Sequence, residues 1–197
     1  MLDLLHRIVA IPRIYDFTQR IVGGKKVVDH LAERLLSYHD QVAYVADIGG
    51  GTGLFRSVWP RETNYLCVDI DPAKVYGFRD KHPEGWTASM DGATALATES
   101  CDAIMIVFVT HHLPDDVVQP FLAECVRALK RGGILVLCDP LWSPRNLPGR
   151  CLWAVDRGSH PRTGETLSKL LRNESLEPEV TQLSILHDYW IGIATRD

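Results

Sequence analysis

The chain has 197 residues, of which 46% are apolar and 23% charged, and its formal net charge at pH 7 is −4. This length and composition suit one globular domain with a core of its own. The acidic balance gives no general attraction to nucleic acid or to an anionic membrane. The longest unbroken apolar run, residues 103–109, is far shorter than the ~20 residues that a membrane-spanning helix needs. We therefore expect no nucleic-acid partner and no membrane span.

The five cysteines are spread along the chain and form no C-x-x-C pair. This pattern favours neither a disulfide framework nor a zinc site. We expect reduced thiols that lie mostly in the core, no bound metal and a cytoplasmic location.

Helical patterns occupy the first part of the chain. Apolar residues at helical spacing over 2–21, with a bend near Pro12, predict an amphipathic helix, and a second helix is predicted over 25–38. Residues 1–40 are expected to form a helical lid, ahead of a core over 41–139 and a variable part over 140–197. All three belong to one predicted domain. A dimer contact and a membrane-surface helix are the alternatives for the amphipathic N-terminus.

From residue 42 onward, short apolar strands alternate with helices. Strands are predicted at 42–46, 65–68, 86–90, 103–109 and 134–138. One helix should begin at Pro72, and another should run from Pro114 to about Lys130 and stop at Gly132-Gly133. This strand–helix–strand rhythm predicts a parallel sheet with right-handed crossovers.

The C-terminal part reads as a loop over 140–162, a helix over about 165–173, and two β-like runs at 180–186 and 189–194. Only His187-Asp188 separate the two runs, which is too short for a parallel crossover, so we expect an antiparallel hairpin at the sheet edge. The predicted fold class is α/β, with three layers and a seven-stranded, mostly parallel sheet that ends in this hairpin.

A glycine-rich turn follows the first strand, which ends at Asp47. Its glycines are Gly49, Gly50, Gly51 and Gly53. Glycine accepts positive φ and lets a ligand lie against bare backbone. The glycines are also expected to open the next helix, whose N-terminal N–H groups favour a negatively charged group. A nucleotide-like ligand at the carboxyl ends of the strands is therefore predicted, and a tight turn without a ligand is the alternative.

Two phosphate-binding motifs are absent. A dinucleotide fingerprint needs G-x-G-x-x-G/A, but its third position is occupied here by Leu54 or Arg56, and no G-K-[ST] follows. The acid before the glycines would also repel a pyrophosphate. Nicotinamide dinucleotides and nucleoside triphosphates are therefore disfavoured.

The pattern Asp47-x-Gly49-x-Gly51-x-Gly53 resembles motif I of the class I S-adenosylmethionine-dependent methyltransferases. Further blocks of that family follow in order at 68–72, 90–96, 101–103, 109–115 and 128–135. The resemblance spans about 43–139 and is closest to the small-molecule, type 11 branch. It implies a Rossmann-like fold and an enzyme that uses S-adenosyl-L-methionine, releases S-adenosyl-L-homocysteine and methylates a small molecule at oxygen, nitrogen or carbon.

The resemblance also implies cofactor-binding roles. Asp47 would hold the amino-acid end of the cofactor, directly or by fixing the glycine turn, and Asp69 would accept both ribose hydroxyls. Ile70 would pack on the adenine ring. Asp71 is the alternative to Asp69, but its place before Pro72 is typical of a helix N-cap.

The adenine site would continue after the third and fourth strands. Met90 would line the ring and Asp91 would accept from the adenine amino group, although an aspartate before Gly92 is also a common turn pair. Family members often carry a polar residue at the end of the fourth strand, where this chain has Val107. Contact there would be through its backbone or by van der Waals packing.

Catalysis and acceptor binding leave more alternatives open. Methyl transfer needs a base only when the acceptor must lose a proton, and His111 or His112 could serve, with His111 preferred. Either histidine could instead pack at the start of the helix at Pro114. Tyr15 and Trp142 are predicted to contact the substrate. The tryptophans and arginines of 140–162, Trp153 and Arg162 among them, could clamp an aromatic or anionic acceptor, and an interface or a solvated loop is the alternative.

Two other functions stay open. A non-catalytic protein could keep the pocket for binding S-adenosylmethionine or a partner, and an NAD-dependent oxidoreductase is disfavoured by the missing glycine and by the terminal hairpin. The chain lacks the N/D-P-P-[YF] block after its fourth strand, which disfavours methylation of nucleic-acid bases. The oligomeric state is not predicted.

Overall fold

A computed structural model of the chain describes residues 23–155 and 160–197, without the side chains of residues 154 and 155. The helix predicted over 2–21, and with it the candidate substrate residue Tyr15, lies outside the described residues. Within them, no helix is both long and apolar enough to cross a bilayer.

Five α-helices and seven strands are described. The helices are α1 (Gly24–Leu35), α2 (Pro72–Lys81), α3 (Asp115–Ala128), α4 (Leu147–Val155) and α5 (Gly164–Asn173). The strands are β1 (Tyr44–Ile48), β2 (Asn64–Asp69), β3 (Trp86–Ser89), β4 (Cys101–Val107), β5 (Leu129–Leu141), β6 (Glu179–Ser184) and β7 (Asp188–Thr195). Short 3-10 turns lie at Leu36–Tyr38, Arg56–Val58 and Thr110–His112.

All seven strands form one sheet in the order β3-β2-β1-β4-β5-β7-β6. The first five in this order pair in parallel, and β7 pairs antiparallel with both β5 and β6. This confirms the predicted parallel sheet with a terminal antiparallel hairpin at its edge. Because β1 to β5 run in one direction, their carboxyl ends meet along one edge, where a ligand of such folds binds.

The two faces of the sheet are covered by different helices. Along β4, alternate side chains enter two separate apolar clusters, with Met105 in one and Ile106 in the other. Helices α1 and α2 supply Val27, Leu31, Leu35 and Phe78 to the first cluster. Helices α3 and α5 supply Val118, Leu122, Leu167 and Leu171 to the second. The predicted three-layer arrangement is therefore confirmed, and burial of both faces explains why β4 is continuously apolar.

The glycine turn does not open the helix that the sequence predicts. Residues 51–55 form consecutive turns, followed only by the 3-10 turn Arg56–Val58. The reason is the backbone of Gly49, Gly51 and Gly53, whose φ values are 76°, 58° and 85°. These conformations lie outside the right-handed helical region. The expected helix N-terminus with free N–H groups is therefore wrong.

Helix α3 ends at Ala128, earlier than predicted, and Gly132-Gly133 lie inside β5. Leu129 is already extended, with φ −75° and ψ 135°, because it pairs with Cys101 of β4. Gly132 has φ 75° and donates its N–H to the carbonyl of Arg196 at 2.7 Å. These glycines therefore shape the start of the strand rather than the end of the helix.

The predicted loop over 140–162 contains helix α4. Asn146 begins it, since its side chain accepts the N–H of Gly149 at 2.8 Å. Pro148 stands in the first turn, where a missing N–H costs nothing. An N-capping asparagine followed by an early proline is a helix-start signal that the sequence analysis overlooked.

Candidate functional site

The carboxyl ends of β1, β2 and β3 bring most of the predicted cofactor residues to one place. We call this region, residues 47–53, 69–71 and 89–91, the β1–β3 edge. The register pairs Ile48 with Val68, and Asp69 with Ser89, so that the three strands end side by side. The residues that follow each strand therefore surround a common space.

Asp47 lies beneath the glycine turn. Its Oδ2 accepts a hydrogen bond from the Tyr65 hydroxyl at 2.5 Å. A Cβ atom on Gly50 would stand 2.5 Å from the same oxygen, so only glycine lets the turn close over the carboxylate. Burial, reinforced by the charge of Asp69 and opposed by the Tyr65 bond, raises the pKa of Asp47 from 3.8 to about 7.

Asp69 joins the turn to the end of β2. Its two carboxylate oxygens accept the N–H groups of Gly51, at 3.0 Å, and of Asp71, at 2.9 Å. The Lys74 ammonium lies 3.8 Å from Oδ2. A carboxylate offers about four lone-pair sites, so these two backbone bonds leave capacity for further donors such as ribose hydroxyls.

The turn does not suit a phosphate ligand. The N–H groups of Gly49 and Gly50 donate to the Val68 carbonyl at 2.7 and 3.0 Å, and that of Gly53 donates to the Gly50 carbonyl at 2.9 Å. With Gly51 bound to Asp69, these backbone donors are already used within the protein. A phosphate cradle needs such donors for its ligand. The buried Asp69 carboxylate, with acceptor capacity left for hydroxyl donors, instead favours the ribose diol of S-adenosylmethionine, and the turn presents no free phosphate-binding donors among Gly49, Gly50, Gly51 and Gly53, so the residues fit that cofactor.

The remaining cofactor candidates flank this turn. Ile70 is 69% exposed and Asp91 is exposed, so both side chains are accessible to an adenine ring. Met90 is half-buried and Val107 is buried. Gly92 has φ 68°, which also fits the turn interpretation of Asp91.

Asp71 is the predicted N-cap of α2. Its side chain accepts the Ala73 N–H at 2.9 Å. This bond confirms the capping role.

A second polar group lies at the carboxyl ends of β4 and β5. We call this region, residues 107–113 and 139–142 with Trp153 and 160–162, the β4–β5 edge. The His111 ring donates from Nδ1 to Asp139 Oδ1 at 2.9 Å, and the Thr110 hydroxyl donates to the other carboxylate oxygen. His111 is only 4% exposed, whereas the neighbouring His112 is exposed.

Arg162 fixes the backbone that carries this histidine. Its guanidinium donates to the carbonyls of Thr110 and Leu113, at 2.6 and 2.7 Å, and to Asp115 Oδ1 at 2.7 Å. The His160 N–H donates to the His111 carbonyl at 3.1 Å. The guanidinium is buried and binds these partners, which does not favour Arg162 as the member of the loop that would clamp an anionic acceptor.

A series of aromatic rings extends from the segment just after the glycine turn to the β4–β5 edge. Phe55, Phe108, Tyr189, His187, Trp153 and His111 form a series, here called the aromatic row, whose successive ring centres lie 5.3 to 5.9 Å apart. Phe108 adopts φ 62°, which is uncommon for a residue with a side chain and is often found at functional sites. Trp142, predicted to contact substrate, is 43% exposed, and the carbonyl of the preceding residue, Leu141, accepts the Trp153 ring N–H at 3.3 Å.

Trp153 was named among the loop residues that could clamp an acceptor, whereas no site role was predicted for Asp139 or Phe108. Asp139 could have been found by the signal that identified Asp47 and Asp69, an acid at the end of a buried parallel strand. The positive φ of Phe108 and the approach of Trp153 to His111 have no comparable local signal, because both depend on contacts between distant segments.

Comparison with known proteins agrees with this geometry. Residues 46–137 match a family model described as "Methyltransferase domain", of type 11. Demethylspheroidene O-methyltransferase from Rhodobacter capsulatus is 28% identical over 64% of this chain and 32% of its own length. Demethylmenaquinone methyltransferase from Tropheryma whipplei is 31% identical over 48% of this chain and 41% of its own length. The chain thus spans about 32% to 41% of the length of these curated relatives.

A solved structure shares the fold over nearly the whole chain. Magnesium protoporphyrin IX methyltransferase from Synechocystis PCC 6803, with bound S-adenosylhomocysteine, has a TM-score of 0.76 at 17% identity, covering 99% of this chain and 100% of that one. A methyltransferase domain of this kind implies S-adenosylmethionine as its cofactor. Residues 46–137 of this chain are thus similar to the type 11 methyltransferase family model, and the chain has the fold of the class I S-adenosylmethionine-dependent methyltransferases.

Proposed function

We propose that this protein is an enzyme that transfers a methyl group from S-adenosylmethionine to a small-molecule acceptor. The observation that carries the proposal is Asp69, a buried carboxylate bound to the Gly51 N–H at the end of β2. When bound, S-adenosylmethionine supplies an electrophilic methyl group on a positively charged sulfur.

Each predicted cofactor residue has a proposed part. Asp69 accepts the ribose hydroxyls, and Asp47 supports the turn from below through its bond with the Tyr65 hydroxyl. The turn glycines Gly49, Gly50, Gly51 and Gly53 give the ligand access to bare backbone. Ile70, Met90 and Val107 pack on the adenosyl group, and Asp91 accepts from the adenine amino group.

The acceptor is proposed to lie at the β4–β5 edge. Trp142 and Tyr15 contact it, and His111 is the group that can take a proton from it. A small molecule is favoured because the relatives are named as methyltransferases of demethylspheroidene and demethylmenaquinone. We also propose that the lid over 1–40, the core over 41–139 and the part over 140–197 act as one domain. The five cysteines, all free, support a cytoplasmic location.

Calorimetric titration of the purified chain tests the cofactor. S-adenosylmethionine and S-adenosylhomocysteine are expected to bind with one-to-one stoichiometry, while NAD gives no heat of binding. Binding of NAD alone would replace the proposal by the oxidoreductase alternative.

A screen for transfer of a labelled methyl group separates an enzyme from a non-catalytic binding protein. We expect radiolabel from S-adenosylmethionine to appear in a small organic product. Tight cofactor binding without transfer to any class of small molecule would favour the binding-protein alternative.

A further inference from the structure

We propose that Arg56, a buried arginine just after the glycine turn, is a positioning residue for that turn and acts on it through the Tyr65 ring. This role rests on the proposed function, because it concerns the site of S-adenosylmethionine, and it adds to that site a residue that does not touch the ligand. The hydrogen bonds of the Arg56 guanidinium and the rings packed beside it support the role.

Arg56 ties the end of the glycine turn to the segment that leads into β2. Its backbone N–H donates to the Gly53 carbonyl at 3.2 Å. Its guanidinium donates to the main-chain carbonyls of three consecutive residues at 2.8 to 3.2 Å, namely Trp59, Pro60 and Arg61. Because the donors of a guanidinium form a rigid, planar fork, these bonds fix the path of the chain between the turn and β2.

A guanidinium is a costly group to bury at this position. Arg56 is only 3% exposed. Its Nε has no hydrogen-bond partner among the described residues, and the Glu84 carboxylate lies 3.8 Å away. Burial of a charge that is not closely paired costs free energy, and an apolar side chain of similar volume avoids this cost. Packing alone therefore does not explain an arginine here.

The charge of Arg56 lies next to an aromatic ring. Its guanidinium carbon is 5.1 Å from the centre of the Tyr65 ring, a distance typical of a cation–π contact. The Phe78 ring stacks on Tyr65, with ring centres 5.9 Å apart and planes that differ by 7°. Tyr65 is 1% exposed. Arg56 and Phe78 therefore fix the position of this ring.

The Tyr65 ring places its hydroxyl under the glycine turn. The hydroxyl donates to Asp47 Oδ2 at 2.5 Å, and Gly50 closes over the same oxygen. Burial, together with the charge of Asp47, holds the pKa of Tyr65 well above its ordinary value. The hydroxyl therefore keeps the proton that it donates, and the ring supports the start of the turn.

Phe78 extends this support to the other end of the turn. A Cβ atom on Gly53 would stand 2.6 Å from the Phe78 ring. We call Arg56, Tyr65 and Phe78 the turn support. All three are buried, so they can act on a ligand only through the turn. A site that is already ordered loses less entropy when its ligand binds, so the turn support should raise affinity for the cofactor.

The first test measures affinity for S-adenosylhomocysteine by calorimetry. Arg56→Met keeps a similar volume but removes the charge and its hydrogen bonds, and it should lower affinity roughly 10-fold. Arg61→Met changes an exposed arginine of the same segment, and as the matched control it should stay within about 2-fold. Equal affinity of Arg56→Met and the unaltered protein would overturn the inference.

The second test needs no ligand and examines the route through Tyr65. The ¹³C resonance of the Asp47 carboxyl, followed against pH, gives its pKa, which burial raises to about 7 while the Tyr65 bond lowers it and the charge of Asp69 raises it. Tyr65→Phe should therefore raise this pKa further. Arg56→Lys should also raise it, because a single ammonium cannot replace the fork that fixes the ring.

Arg56→Lys keeps the positive charge, so a raised pKa of Asp47 in this variant reports movement of the Tyr65 ring. A general loss of stability does not change the pKa of a group in the folded protein. Arg61→Lys is the matched control and should leave the pKa unchanged. An Asp47 pKa that is the same in Arg56→Lys and in the unaltered protein would overturn the route through Tyr65.

A double variant tests whether Arg56 and Tyr65 act as one unit. Two residues that act through the same contact have effects that do not add as free energies. The loss of S-adenosylhomocysteine affinity in Arg56→Met with Tyr65→Phe should therefore be smaller than the product of the two single losses. Losses that multiply would show that Arg56 acts independently of Tyr65, and would overturn the proposed route.

The outcomes separate this inference from the proposed function. Failure of the unaltered protein to bind S-adenosylhomocysteine would overturn the proposed function, and the Asp47 titration would still decide whether Arg56 positions Tyr65. Binding that neither Arg56 variant weakens would overturn the inference alone. If Arg56→Met does not fold, Arg56→Lys replaces it in the calorimetry, with an expected loss of affinity of about 3-fold or more.

Discussion

The β1–β3 edge and the β4–β5 edge are built over different distances along the chain. At the first, Asp47 meets Tyr65 and Gly51 meets Asp69, each pair 18 residues apart, within a single strand–turn–strand unit. At the second, His111 meets Asp139 across 28 residues and Arg162 meets Thr110 across 52. The first edge is therefore a local motif, and the second is an assembly of three segments.

This difference agrees with the proposal that the β1–β3 edge binds the cofactor and the β4–β5 edge binds the acceptor. A cofactor common to a whole family can be held by a short motif, whereas the acceptor site has to vary between members. Loops placed on a fixed scaffold can vary without disturbing the core. The two edges should therefore respond separately when either one is altered.

The largest expected effect is on the assembled edge. Arg162→Ala removes a buried guanidinium and leaves the carbonyls of Thr110 and Leu113 without their donors, so the free energy of unfolding should fall by about 3–5 kcal/mol. Urea denaturation measures it, with Arg150→Ala, an exposed arginine of α4, as control. Affinity for S-adenosylhomocysteine should change little. A large loss of affinity would show that the edges are coupled.

Asp47, at the β1–β3 edge, should make the free energy of unfolding depend on pH. Because burial raises its pKa from 3.8 to about 7, the native state binds more protons than the unfolded chain between these values. The free energy of unfolding then falls as pH rises through this window, by about 4 kcal/mol at most. Asp47→Asn removes the effect.

Urea denaturation at pH 4 and pH 8 measures this dependence. The free energy of unfolding of the Asp47→Asn variant should be close to that of the unaltered protein at pH 4 and higher than it at pH 8. Asp80→Asn, which changes an exposed residue of α2, is the control. If the difference in free energy of unfolding between the variant and the unaltered protein stays constant with pH, the raised pKa of Asp47 would be contradicted.

Asp69→Ala should weaken the cofactor site itself. Loss of charge-assisted bonds to two ribose hydroxyls should lower affinity for S-adenosylhomocysteine roughly 100-fold, or about 2.8 kcal/mol. Calorimetry measures the change, and Asp80→Ala is the matched control. Unchanged affinity for S-adenosylhomocysteine would show that Asp69 does not bind the cofactor.

The smallest expected effect on stability is at Gly132, and Gly49 is the glycine to compare with it. Gly132 has φ 75° with nothing within 4 Å of an added Cβ, so Gly132→Ala should cost only backbone strain, roughly 1–2 kcal/mol. Gly49 has φ 76°, and its added Cβ would collide with Val109 Cγ2. Gly49→Ala should therefore lower stability further and also lower cofactor affinity, whereas Gly132→Ala should not affect binding. If Gly49→Ala and Gly132→Ala change stability and cofactor affinity equally, a special role for the glycine turn would be contradicted.

The same contrast explains what the sequence could predict. The sheet, its terminal hairpin and the Asp47–Gly53 motif follow from local patterns of apolar residues, glycines and strand-end acids. The short 3-10 turn after Gly53 was not predictable from the family resemblance, because it depends on where the chain returns to start β2.

The partners at the β4–β5 edge were harder to predict. His111 was proposed from its position, but its bond to Asp139 requires knowing that β4 and β5 are neighbours. The burial of Arg162 depends on how residues 160–162 return to the turn at Thr110. Such contacts arise from tertiary packing and leave no periodic signal in the chain.

The most direct test of the two-edge arrangement is a crystal structure with S-adenosylhomocysteine bound. We expect the ribose hydroxyls on Asp69, the adenine against Ile70 and the sulfur directed toward the β4–β5 edge that carries His111. A nucleoside bound away from Asp69, or a sulfur directed away from that edge, would contradict the central claim.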